Sequence, residues 1–361
     1  MLDLTGSASD LGYVFAAKTV PLVGFLLVGG VFADRLPRRA VMLAADVARM
    51  GSQGAVAVLI LTHTAHVWEL VVLQAVAGTA SAFFNPASTG LTPMTVSPER
   101  LQQANALRGL SMASTGIVGT AIGGGVVTLV GPGWALAVDA ASYGVSAFFL
   151  AQLRLPPHVT LPPQSFLSDL REGWREFSSR TWVWVIVLTA SIGNMMNSIF
   201  AVIGVVIAKR SLGGPLAWTA ILAAFGIGSF IGGIVSLRIR VRRPLFFGSS
   251  MLVFLAGPTA LLALRAPALV VAAGALLAGG GNMIFNSLWE TALQRHVPAA
   301  ALSRVSAYDW FGSMAFAPLG LAIAGPLAAA IGDAETLWIA TGGSLAMAAF
   351  AVATPSVRRL E

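Results

Sequence analysis

The sequence predicts an all-α polytopic membrane protein, and three observations predict it. Of 361 residues, 56% are hydrophobic and only 10% are charged, against roughly 25% charged in a typical soluble protein. The apolar residues gather into runs long enough to cross a bilayer. The second half of the chain repeats the first. So few polar side chains cannot cover that much apolar surface in water, which excludes a soluble enzyme, a disordered chain and a nucleic-acid-binding domain. Allowing ~20 residues for each crossing and some for connections, the length holds about eleven or twelve helices.

Apolar runs bounded by charge or by Gly and Pro place eleven spans near 11–33, 40–62, 67–91, 105–130, 134–153, 181–208, 216–237, 244–264, 267–290, 305–331 and 335–354. The segment Met1 to Asp10 is polar and lacks a basic stretch, so no cleavable signal peptide is expected. Of the 22 basic residues, 17 fall on one side of the membrane, from Arg35, Arg38 and Arg39 through Arg238–Arg243 to Arg358 and Arg359. Four, Lys18, Lys209, Arg210 and Arg265, fall on the other, and Arg49 lies within a span. The positive-inside rule puts the larger group in the cytoplasm, with the C-terminus inside and the N-terminus of this chain outside. The isoelectric point of about 10.9 therefore records topology. With no cysteine in the chain, disulfides, zinc–thiolate sites and iron–sulfur clusters are excluded.

Residues 154–180 form the longest polar piece. After Pro156, Pro157, Pro162 and Pro163, the residues Phe166, Leu170, Trp174 and Phe177 fall on one helical face, predicting an amphipathic helix along the cytoplasmic interface. This linker divides the chain into an N-terminal bundle, 1–153, and a C-terminal bundle, 181–361.

The bundles repeat at an offset of 201 residues: Phe84-Asn85 with Phe285-Asn286, Val96 with Val297, Leu101 with Leu302, Gly124 with Gly325 and Gly131 with Gly332. Span 181–208 opens the second half, and its counterpart would begin before Met1. Five spans against six, together with an N-terminus outside, lead to the expectation of a twelve-helix plan whose first helix is missing.

The first cytoplasmic loop reads Gly30-Val31-Phe32-Ala33-Asp34-Arg35-Leu36-Pro37-Arg38-Arg39. Gly30 permits close helix contact, and Asp34 suits a helix N-terminus, where the dipole favours an anion. The spacing of Asp34, Arg35, Arg38 and Arg39 resembles the cytoplasmic signature of the major facilitator superfamily, with Pro37 replacing the usual second glycine. Phe83-Phe84-Asn85-Pro86-Ala87, Pro98-Glu99-Arg100-Leu101, Ala104-Asn105-Ala106-Leu107, Trp134 to Tyr143 with Asp139, and Leu293-Gln294-Arg295 through Arg304-Val305 resemble its macrolide-efflux and enterobactin-exporter branch. So does the opening Leu2 to Ala8, similar to the loop after that branch's first helix.

The resemblance implies the major facilitator fold, two pseudo-symmetric bundles with eleven of twelve helices present, and a latch that biases inward-open against outward-open states. It also marks departures. The antiporter helix-packing motif keeps Gly119, Gly123 and Gly124 but lacks its proline, and Gln74 stands where an arginine tied to proton coupling is common.

Ionisable groups inside a bilayer cost about 2.5–3.5 kcal/mol on insertion scales, so they face a cavity or a partner. Asp46 and Arg49, three apart, are placed to pair with each other. For Asp139, titration and local capping stay open. Glu290 and Asp309, near Arg295 and Arg304, read as an inner gate or a proton-linked network. Asn194 and Asn197 share a face of the sixth span, and Asn282 and Asn286 a face of the ninth. These amides read as cavity lining or as interhelical hydrogen bonds, and for Asn286 and its repeat partner Asn85 the second reading leads. Phe83, Met195, Met196, Phe200 and Trp289 offer adaptable apolar contact for cargo or for packing.

No phosphate-binding loop, nucleophile constellation or third histidine beside His63 and His66 is present. The chain is therefore expected to be no enzyme and to need neither cofactor nor metal. The expected function is secondary active transport in a bacterial inner membrane, by a monomer exporting hydrophobic small molecules, drug or siderophore-like, against protons. A lysophospholipid or amphiphile carrier, and a transport-inactive membrane scaffold, are the alternatives.

Overall fold

The computed structural model describes residues 8–155, 165–212 and 214–360, and every regular element among them is helical. In chain order these are α1 (Ala8–Arg35), α2 (Arg38–Leu61), α3 (Val67–Leu91), α4 (Leu101–Ser114), α5 (Thr120–Val130), α6 (Pro132–Gln152), α7 (Phe166–Ser179) and α8 (Thr181–Ser211). They continue with α9 (Pro215–Arg238), α10 (Pro244–Met251), α11 (Ala256–Ala263), α12 (Ala268–His296), α13 (Leu302–Met314), α14 (Ala317–Ile331), α15 (Asp333–Ala353) and α16 (Pro355–Arg358). Among the described residues, ten helical stretches are long and apolar enough to cross a membrane. The helical run 101–130, made of α4, a π-turn at Thr115–Gly119 and α5, coincides with one further apolar run of the sequence.

Two spans that read as single runs are broken, and proline explains both. The Pro258 ring crowds the carbonyl four residues back, and the backbone tightens there into a 3₁₀ turn at Leu252–Leu255 between α10 and α11. Pro318 acts likewise on Met314, the last residue of α13, and α14 restarts after a two-residue turn.

The repeat is visible in the turns. Gly131 and Gly332 adopt φ of 95° and 102°, a conformation that costs a side chain-bearing residue dearly, and each leads into the next span. His63 and Arg265 take φ of 57° and 55°. Each ends a helix with a bond closing back over the last turn, Thr64 N to Leu59 O at 3.0 Å and Ala266 N to Leu261 O at 2.9 Å.

The chain divides into two compact units. The first comprises Met1–Thr95, Gly119–Glu176 and Val297–Phe311. Here α1 packs on α3 so closely that a Cβ at Gly29 or Gly78 would fall on the backbone of Ala82 or Lys18. Ala33, Val41, Met42, Ala87, Leu91 and Leu150 form a buried cluster beside them. The second unit comprises Val96–Val118, Phe177–His296 and Gly312–Glu361. There α9 meets α12 through Gly228, Gly232 and Gly279, against the backbones of Leu276, Gly280 and Phe225. Its core runs through Met196, Ile199, Ile203, Ile207, Ile221, Val271 and Leu337. Without a hydrophobic effect to drive helices together in lipid, small residues that bring backbones close supply the packing energy.

Asp169, Gly173 and Phe177 make the buried stripe of α7; of the predicted apolar face Phe177 lies in it, Phe166 and Leu170 are half-buried and Trp174 is exposed. The reason is electrostatic: a buried arginine on α13 draws the Asp169 face inward.

Candidate functional site

In the first unit the loop between α1 and α2 delivers Asp34, Arg35, Arg38 and Arg39 to four different destinations. Asp34 is 6% exposed. Its carboxylate accepts the backbone N–H groups of Ser303 and Arg304, at 3.3 and 3.1 Å, at the N-terminus of α13. These are orphan donors of the first turn, at the positive end of the helix dipole. Arg38 Nη2 donates to the same carboxylate at 3.1 Å and Arg304 Nε at 3.2 Å, so one anion answers two cations and a helix end. Gly30, one turn earlier on α1, makes room for this seat: a Cβ there would lie 2.6 Å from that of Ala307. Arg38 also donates to the carbonyls of Gly90 and Ala299, both at 2.6 Å. Arg39 donates to the carbonyls of Leu153 and Ala151 at the end of α6.

Arg304, 5% exposed, is the centre of the cluster. Besides Asp34, it donates Nη1 to Glu172 at 3.0 Å and to Asp169 at 3.4 Å, and Nη2 to the Ala300 carbonyl at 3.0 Å. Asp169 takes a second ion pair from Arg35 at 2.5 Å. Gly173 lets α7 lie flush on α13, since a Cβ there would sit 3.1 Å from that of Arg304. Tyr308 adds a hydrogen bond to the Leu170 carbonyl at 3.0 Å and an edge-on contact with Trp174. The loop motif announces Asp34 and its arginines. Asp169 and Glu172 were missed, because from sequence they look like the solvated side of an amphipathic helix.

A second charge pair in this unit lies within the spans. Asp46, fully buried, pairs with Arg49 and accepts the Ser146 hydroxyl at 2.7 Å. The Arg49 guanidinium lies over the rings of Phe84 and Tyr143, 4.1 and 4.7 Å from their centroids. Asp139, on α6, has an exposed side chain. Gln74 donates to Gln53 across the contact of α3 with α2, at 3.4 Å. Phe83 meets Phe32 edge-on and walls a cavity of about 620 Å³ between α1, α2 and α3. Apart from Thr79 its lining is apolar, with Val41, Ala48, Val72 and Val76 among the walls. Gly123 has open space around it, and the packing of Gly124 lies outside the described residues.

The second unit holds a polar seam between α4 and α12. Asn105 donates to Thr291 at 3.0 Å and to Gln294 at 2.8 Å, and Gln294 donates back at 3.3 Å. Gln102 donates to the carbonyls of Ser236 and Ile239 at the C-terminus of α9. One turn further along α4, Arg108 approaches Glu290 at 3.8 Å. Arg295 instead donates to the Pro98 carbonyl, so the expected neighbourhood of Glu290 and Arg295 gives way to Arg108. Asp309 is buried on α13. Asn194 donates to the Ser313 carbonyl at 2.9 Å, tying α8 to the end of α13, while Asn197 is exposed. Asn286 donates within its own helix to the Asn282 carbonyl. Phe200 packs at a tilt against Trp218, with ring centroids 5.4 Å apart, beside the second unit's core.

The chain is 29% identical to the multidrug efflux pump Tap of Mycolicibacterium fortuitum over 388 residues, covering 100% of this chain and 91% of that protein. It is 27% identical to the multidrug efflux pump Tap of Mycobacterium tuberculosis over 394 residues, covering 100% and 88%. Its fold superposes on the E. coli fucose:proton symporter FucP with a TM-score of 0.74 at 12% identity, covering 97% of this chain and 92% of that one. The model of the Major Facilitator Superfamily matches residues 1–313. With an all-helical fold of that architecture and more than half of its length matched, the chain belongs to the major facilitator superfamily of secondary transporters and is not an enzyme.

Proposed function

We propose that this transporter exports hydrophobic small molecules from the cytoplasm in exchange for protons. The observation that carries the reading is its full-length similarity to two pumps named for multidrug efflux. The cavity beside Phe83 supports it: about 620 Å³ with apolar walls suits a drug-sized apolar molecule better than a sugar or an ion. The bundles 1–153 and 181–361 are the moving halves, rocking about a midplane site. Phe83, Asn194, Asn197, Phe200, Asn282 and Gln74 are the candidate cargo contacts. Asp139, Glu290 and Asp309 are the candidates for gating or proton transfer. Gly119 and Gly124 are the candidate helix-packing positions, since Gly123 faces open space.

The cluster of Asp34 with Arg38 and Arg304 serves as the latch, since it must break for α13 to leave α1. The membrane is the bacterial inner membrane, with the basic loops in the cytoplasm. The test uses everted inner-membrane vesicles and a panel of hydrophobic fluorescent dyes. Dye should accumulate when the vesicles are energised and leak out when a protonophore collapses the gradient. Accumulation of no dye by vesicles shown to contain the protein would overturn the reading, as would accumulation that ignores the protonophore.

A further inference from the structure

The spanning helices of the second unit carry one acidic side chain whose surroundings answer only part of it. Glu290 lies on α12 where α4 crosses. Its Oε1 is 3.8 Å from Arg108 Nη1, beyond hydrogen-bonding distance. Its Oε2 is buried with no hydrogen-bond partner, and among the described residues no other carboxylate oxygen is in that condition. A buried oxygen that no hydrogen-bond donor answers is costly and calls for an explanation.

Neighbouring polar groups do not supply one. Asn105, Thr291 and Gln294 satisfy one another, and Gln102 caps α9. The helices packed on α12 are α4, α9, α10 and α11. Of their side chains only Arg108, on α4, and Arg238, the last residue of α9, are charged. Trp182 of α8 also meets Trp289, and the charges bordering that helix are Arg180 at one end and Lys209 and Arg210 at the other. On α12 itself, Arg295 is turned to Pro98, and His296 pairs its Nδ1 with the Ala292 carbonyl. Helix packing does not require an acid here either. Thr89, 201 residues earlier, is neutral, and its hydroxyl donates to the Asn85 carbonyl of its own helix.

We propose that Glu290 is a proton-binding site of the transport cycle and that Arg108 is the cation that displaces the proton. With Arg108 held away, the carboxylate takes one proton from water and becomes a neutral carboxyl. Its charge in the apolar span is thereby removed. When Arg108 closes to hydrogen-bonding distance, the ion pair replaces the O–H bond and the proton returns to water. Arg108 keeps its own proton and charge throughout. The inference rests on the proton-coupled reading above and names the group that does the coupling.

The test uses the full chain reconstituted in liposomes. Substrate-free infrared spectra are recorded as pH is varied, for the wild type and E290Q. The wild type should show a protonated-carboxyl band that E290Q lacks; identical spectra would overturn the proposal. In parallel, dye transport is measured both with a pH gradient and as dye-for-dye exchange, which moves no net proton. E290Q should lose gradient-driven transport at least about tenfold while keeping exchange. R108Q should do the same, and E290D should restore part of the gradient drive. Gradient drive that survives in E290Q overturns the proposal, and so does loss of exchange in both variants when each elutes as folded protein. If the wild type moves no dye with the gradient, the transport reading fails, and the infrared band then judges the proton site by itself.

Discussion

At the residue scale, the distinction that matters is between charges that are answered and charges that are left open. Asp34 holds two backbone N–H groups and two guanidinium groups, and Arg304 holds three carboxylates and two carbonyls. The two halves of this cluster respond differently to substitution. D34N keeps an acceptor for the helix end and leaves Arg304 with Asp169 and Glu172. R304M leaves the Asp34 carboxylate, in a site 6% exposed, with Arg38 as its one cation, and takes a cation from Asp169 and Glu172 as well. Removing one member of a buried pair costs about 3–5 kcal/mol, whereas losing a capping anion costs about 0.5–2 kcal/mol. Thermal melts in detergent should therefore rank the wild type above D34N and D34N above R304M. Turnover should fall in D34N while membrane insertion is unchanged, since the latch acts after folding. Equal melting of the two variants would remove Arg304 from the centre. Asp34 was legible from sequence because its loop spacing is distinctive. Glu290 is legible as a gate or proton-linked candidate but not its partner, because nothing local reveals that Arg108, far away in sequence, is the cation facing it.

At the element scale, most helices were legible and most interruptions were not. Apolar length predicts a span, but the 3₁₀ turn before α11 and the break before α14 depend on where Pro258 and Pro318 place their rings within it. The stripe of α7 that is buried against protein follows the charge of Arg304 and not hydrophobicity. Glycines show the same contrast between pattern and placement. Gly78 and Gly228 face the carbonyls of Lys18 and Leu276 so tightly that an added Cβ cannot be accommodated without parting the helices, whereas a Cβ at Gly123 meets nothing. G78A and G228A should lower the yield of folded protein and its melting temperature. G123A should be neutral or gain up to about 0.5–1 kcal/mol from helix propensity. Fluorescence-detected gel filtration after a heating series reads all three. A G123A variant as damaged as G78A would mean that α5 packs against something at that face.

At the scale of the whole molecule, the repeat decides what the sequence reveals. Gly131 with Gly332 and His63 with Arg265 turn the chain in the same way in each half, so one half's turns predict the other's. The charge clusters do not repeat: the first unit seats an anion on the N-terminus of α13, and the second seats the Gln102 amide on the C-terminus of α9. Orientation follows from charge, and the absence of cysteine makes it measurable, because any single introduced thiol labels alone. Thr64 and Arg265 lie in corresponding turns at the same ends of their spans. Between them run α3, the stretch 101–130, α6, α8, α9 and the broken span α10–α11, an even number of crossings. T64C and R265C should thus react with a membrane-impermeant maleimide added to intact cells. R240C and R359C, on the basic side, should react only after the cells are opened. Opposite labelling of T64C and R265C would show that the stretch 101–130 does not cross, since removing it makes the count odd. A full exchange of the two pairs would keep the count and reverse the orientation, against the 17 to 4 bias of basic residues on which it rests.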